Sequence, residues 1–144
     1  MRTAPFKLLL AALLPSMVPL SASAAESILL ACSITSNIAA KDDQFSAFFC
    51  KEAVHQLTSL TGNTVEPVAT EVLIQQPNSA WLRLDVIVKS ANVVSGQASW
   101  GGGNLKSGQG AALEAGINDA TLNETTASLL VQALVAGSPF VAPK

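Results

Sequence analysis

The strongest periodic signal in the chain is an alternation of apolar and polar residues that begins at Leu82 and resumes after Asn92. Leu82, Leu84, Val86 and Val88 fall on one side, and Arg83, Asp85, Ile87 and Lys89 on the other. Val94, Gly96, Ala98 and Trp100 then oppose Val93, Ser95, Gln97 and Ser99. Successive side chains of a strand point to opposite faces, so each run carries one face made for a core. An odd connection, Ser90-Ala91-Asn92, pairs Val88 with Val94 and Leu84 with Ala98 and keeps both apolar sets together. Asn92 suits its end, because asparagine tolerates the left-handed conformation that closes such turns. The two runs predict a β-hairpin at the centre of a sheet with one polar face.

The flanking segments supply the rest of the fold. Ser27 to Ile34 is apolar on both sides, the mark of an interior strand. Asp42 and Asp43 offer caps for a helix from Phe45 to Leu60, which Gly62 ends. Helical spacing places Phe49, Cys50, Ala53, Val54, Leu57 and Leu60 on its buried face. Within Thr64–Gln75, Val65, Val68, Val72 and Ile74 predict a strand, with Pro67 on an edge or at a bulge. Gln109 to Ile117 alternates again and reads as a further strand. Thr121-Leu122-Asn123-Glu124 has the capping-box pattern, opening a helix that buries Leu122, Thr126, Leu130, Ala133 and Leu134 and ends at Gly137-Ser138-Pro139. The order β-α-β-β-β-β-α predicts a two-layer α+β domain: a mostly antiparallel sheet of about four to five strands with two helices packed on one face. The first strand, the helix and the next strand fit a parallel crossover.

The first 24 residues stand apart from this domain. Arg2 and Lys7 precede the apolar run Phe6–Leu14, Pro15 and Pro19 break any helix, and Ala22-Ser23-Ala24 has the small-x-small pattern of a cleavage site. That is the layout of a signal peptide, so 1–24 is read as a cleaved leader, 25–136 as one α+β domain and 137–144 as a short Pro-containing tail. The expected location is the periplasm or the extracellular medium. No later segment carries the ~20 apolar residues that a membrane span needs. Loss of Arg2 and Lys7 with the leader leaves six basic against ten acidic residues. Such a balance argues against nucleic acid as partner, which selects clustered Lys and Arg.

Two cysteines, Cys32 and Cys50, occur in the chain. In an exported protein an even pair reads as a disulfide, and Cys50 on the buried helix face would meet Cys32 on the first strand. Leu29-Leu30-Ala31-Cys32 resembles a lipobox, but Glu26 interrupts the apolar lead-in and lipidation would leave Cys50 unpaired, so no lipid anchor at Cys32 is expected.

Catalytic and cofactor motifs are not found. His55 is the one histidine, which alone does not make a typical zinc site. Gly101-Gly102-Gly103-Asn104-Leu105-Lys106-Ser107 lacks the Gly directly before Lys that a phosphate-binding loop requires, so it reads as a hairpin connection. No metal or other cofactor is expected, and neither is enzymatic activity. Two surfaces remain. Phe48 projects from the far side of the first helix, and with Val131 and Val135 of the last helix it offers a partner or homo-oligomer surface. Arg83, Asp85 and Lys89 on the polar sheet face offer a ligand surface. The expected function is therefore an exported, non-enzymatic domain that binds a protein or supports envelope assembly. The alternative is a small periplasmic ligand-binding protein or enzyme using Arg83, Asp85 and Lys89.

Overall fold

The computed structural model describes residues 27–37, 43–116 and 122–141. Residues 1–24, expected to be a leader, the residues at both chain ends, Asp42, Ile117 and Thr121 lie outside them. Strand β1 (Ser27–Ser36) leads to helix α1 (Asp43–Thr61), strand β2 (Thr64–Pro67) and a short helix α2 (Thr70–Gln75). Strands β3 (Trp81–Ser90), β4 (Val93–Gly101), β5 (Gly108–Gln109) and β6 (Leu113–Gly116) follow, and helix α3 (Glu124–Ala136) closes the domain.

One sheet of order β2-β1-β3-β4-β5 results, with β6 also paired to β4. β1 runs parallel to both β2 and β3, whereas β4 is antiparallel to β3, β5 and β6. The expected α+β architecture is present, with α1 and α3 on one face. β1 explains its own apolar character: it lies between two strands, and Leu29, Leu30 and Ala31 are buried. Leu30 and Cys32 are in register with Leu82 and Leu84, so these four side chains face the two long helices.

The hairpin pairs Val88 with Val94 and Leu84 with Ala98, the register that parity demands. The loop itself is shorter than Ser90-Ala91-Asn92, because Ser90 pairs with Val93 across an irregularity between Val88 and Ser90. That bulge supplies the odd residue, so both apolar sets still share a face. The turn is tied down at Ala91, whose carbonyl accepts from the Leu122 amide at the entry to α3.

Both long helices are rotated from their sequence-derived phase. On α1 the buried stripe is Phe45, Phe49, Ala53 and Leu57, while Leu60 is exposed. The helix starts at Asp43, which brings Phe45 into its first turn, and the Phe45 and Phe49 rings pack with centroids 6.0 Å apart. On α3 the N-cap is Asn123, whose side chain accepts from the Thr126 amide at 3.0 Å. Val131 and Val135 are buried, and Ala133 is exposed.

Two further differences matter. The segment expected to contain one strand holds β2 and also α2, whose Leu73 packs on Leu29, Ala31 and Trp81 on the face opposite the long helices. The run from Gln109 splits, because Gly110 to Ala112 separates β5 from β6. The tail also joins the domain: Ser138 is buried, and Phe140 and Val141 pack against the main core.

Candidate functional site

The charged face of the hairpin is neutralised pairwise. Arg83 Nε lies 2.9 Å from Asp85 Oδ1, as expected for neighbours two apart on one side of a strand. Lys89 Nζ reaches across β4 to Glu114 Oε2 at 2.7 Å. Gln97 on the same face donates to the Gly110 carbonyl at 2.8 Å, holding the β5–β6 connection. Arg83, Asp85 and Lys89 thus share a face but do not converge on a common point. Arg83 borders a cleft of about 180 Å³ beneath α2, which it shares with Leu73, Ile74, Trp81 and Ser99.

The proposed surface of Phe48, Val131 and Val135 does not form. Val131 and Val135 are 0% exposed, and Phe48 is half-buried against the main core. α3 is apolar around much of its circumference, so spacing alone did not define which side is buried. Leu129, 59% exposed, is its outward apolar residue instead.

Cys32 and Cys50 are brought together as the helical phase predicts, although Cys50 sits on the flank of the buried stripe. Both are half-buried free thiols packed against the core. The two side chains lie near each other. The neighbouring Cys50 side chain, together with burial, pushes Cys32 above the ordinary thiol range. The neighbouring Cys32 side chain lowers Cys50, against the opposing effect of its own burial. Processing at the lipobox would remove Ser27–Ala31, the residues with which β1 pairs to β2 and begins its pairing to β3.

His55 borders a shallow groove between α1 and α3 with Glu52, Gln56, Ser59, Leu60 and Gln132. There the Glu52 carboxylate accepts from Gln56 Nε2 and from Ser128 Oγ, both at 2.8 Å, linking the helices. Among the described residues no group of three His, Cys, Asp or Glu side chains has the placement to hold a metal ion. No helix among them is long and apolar enough to cross a membrane.

A feature invisible in the sequence lies where the glycine run meets the loop before β3. Gly102 and Gly103 adopt positive φ, 77° and 58°. A side chain at Gly102 would overlap the Ser79 carbonyl oxygen, and the Gly103 amide donates to the Pro77 carbonyl at 2.9 Å. The glycines therefore let two loops lie against each other. Beside them opens a cavity of about 490 Å³, bordered by Ser27, Asn63, Asn78, Asn104, Leu105 and Phe140 among others. The glycine run signalled a loop, but the asparagines converge from three separate segments, which no local pattern reveals.

No family model matches this chain, and no curated protein matches it. Solved structures do share its fold. A single-substitution variant of PelC from Paraburkholderia phytofirmans, described as a dodecamer, superposes with a TM-score of 0.55 at 14% identity, covering 78% of this chain and 87% of that one. A second PelC dodecamer structure from that organism gives 0.50 at 13% identity, over 83% and 90% of the two chains. A hypothetical protein, CT253 from Chlamydia trachomatis, is similar at 0.48 and 12% identity over 77% and 94%. At these identities the likeness to the two PelC structures shows the fold alone.

Proposed function

We propose that this chain is an exported, non-enzymatic domain that acts by association, as a protein-binding or envelope-assembly module whose first partner is a second copy of itself. The observation that carries this reading is the fold shared over most of both chains with PelC, a protein described as a dodecamer. Export rests on the basic start, apolar run and Ala22-Ser23-Ala24 pattern of the leader. The pairing of Arg83 with Asp85 and of Lys89 with Glu114 supports a structural use of the hairpin face, since neither pair leaves its charge directed at a substrate.

Native mass spectrometry of the processed protein across the micromolar range tests the reading. A closed oligomer of fixed stoichiometry, from material whose first residue is Ala25 when isolated from the envelope or medium, is the expected result. A monomer at every concentration, or a chain retained unprocessed in the cytoplasm, overturns it.

One observation favours a second reading, binding of a small ligand. The cavity beside the glycine loops has three asparagine side chains and no charged one among the residues named above. Substitution of Asn78 and Asn104 together would separate the two readings: it should leave the oligomer intact and abolish any ligand-induced rise in Tm.

A further inference from the structure

We infer that the cavity beside the glycine loops receives the main chain of a short, uncharged peptide segment, with one apolar side chain set against Leu105 and Phe140. The starting point is the chemistry of the cavity's border. Asn63, Asn78 and Asn104 come from three separate segments, and their side chains have no hydrogen-bond partner among the described residues. None of the described residues bordering the cavity is charged. Ile28, Leu105 and Phe140 supply apolar surface on the same border. At about 490 Å³ the space falls within the roughly 300–1,000 Å³ of small-ligand sites.

The three amides are held in place before anything binds. The Asn63 backbone N–H donates to Thr61 Oγ1 at 3.1 Å, and that hydroxyl donates to the Leu57 carbonyl at 2.7 Å. Asn78 lies in a turn closed by the Ser79 amide on the Gln76 carbonyl, at 3.1 Å. Asn104 lies in one closed by the Leu105 amide on the Gly102 carbonyl, at 3.0 Å. Backbone fixed in this way leaves less freedom to lose on binding.

An asparagine side chain carries the same group as a peptide unit: its oxygen accepts and its NH2 donates. One such amide can pair with the N–H and C=O of a single residue through two bonds. Several of them suit a main chain, which repeats that donor and acceptor at every residue. Charge is unsuited, because an ammonium or carboxylate would lose its hydration with no counter-charge on the border. The segment is therefore an internal stretch or a loop of a protein partner, not a free terminus. A saccharide fits less well. Its C–H faces stack on aromatic rings, and the described border holds one ring, Phe140, itself packed on the core. The peptide assignment rests on the second reading above, that the cavity holds a ligand, and it does not depend on self-association.

The test is photocrosslinking of the protein, in the oligomeric state in which it is isolated, by acetyl-Gly-photoleucine-Gly-amide. Proteolysis and mass spectrometry should place the label on Leu105, Phe140 or their neighbours in the cavity wall. Acetyl-Gly-Leu-Gly-amide should displace it, and the same tripeptide with Glu or Lys at its centre should not. Asn78→Ala combined with Asn104→Ala should cut labelling at least about tenfold, the scale of a few lost hydrogen bonds. Asn78→Asp combined with Asn104→Asp should do the same, since it keeps the shape and removes the donors; circular dichroism establishes that each variant is folded. Displacement by maltose, a neutral saccharide, but not by the tripeptide would leave a ligand site and overturn the peptide assignment. Label scattered over the surface, or labelling unchanged in both folded variants, overturns the assignment and the ligand reading together.

Discussion

Leu134 of α3 sits directly over Gly96 of β4: a Cβ on Gly96 would come within 3.0 Å of Leu134 Cδ1 and 3.4 Å of Leu130 Cδ2. This glycine is where the last helix seats on the hairpin, and its missing side chain sets how closely the two layers approach. Gly96→Val should overpack that contact and lower stability by about 1–3 kcal/mol, read from a shift in the urea midpoint. An unchanged midpoint would mean that α3 does not rest on β4 there.

Val131 and Val135 belong to the core, so their substitutions should act on the monomer. Val131→Ala removes buried methyl groups and should cost about 2 kcal/mol, transfer and cavity contributions together. Phe48→Ser should also destabilise, by about 1–2 kcal/mol, because only part of the ring is covered. Neither should change the stoichiometry of an assembly under conditions where the monomer is folded. Loss of association with full monomer stability would restore the surface first drawn through these residues.

Glu52 makes a modest acid-sensitive link between α1 and α3. Hydrogen bonds from Gln56 and then Ser128 lower its pKa below the ordinary value of 4.5. A carboxyl group depressed in the folded state contributes stability above its unfolded pKa and loses it as pH falls through the folded one. Wild type should therefore exceed Glu52→Gln near neutrality by no more than about 1 kcal/mol, given how exposed the group is. Denaturant titrations below pH 4.5 should find the two converging. A gap that widens with acid would contradict the linkage.

What was legible in the sequence followed from short-range geometry. The hairpin register was fixed by a period of two and by parity, and even a bulge in place of a longer loop left Val88 opposite Val94. Cys32 and Cys50 met because a strand face and a helix face are each local properties. The phase of α3 was not local. Leu129, Leu130, Val131, Leu134 and Val135 offer several apolar sides, and the contact of Leu130 and Leu134 with Gly96 selects among them. α2 escaped notice because Thr70–Gln75 is rich in β-branched residues and gains its place by setting Leu73 on Leu29, Ala31 and Trp81. The asparagine-lined cavity needed Asn63, Asn78 and Asn104 to be gathered by tertiary structure.

β1 is made before every other element among the described residues, yet both of its neighbours come later: Ser27 pairs with Thr64, and Leu29 with Trp81. A chain emerging from its N-terminus holds Leu29, Leu30 and Ala31 without a strand on both sides until β3 has been synthesised and its end released. Contacts so distant in sequence make for slow closure. The interval keeps the sheet open, and an apolar strand without neighbours is a ready substrate for a holding chaperone and for aggregation alike. The parallel pairing that makes β1 the interior of the finished sheet thus sets a clock: the sheet cannot close on both sides of β1 until Trp81–Ser90 has been made.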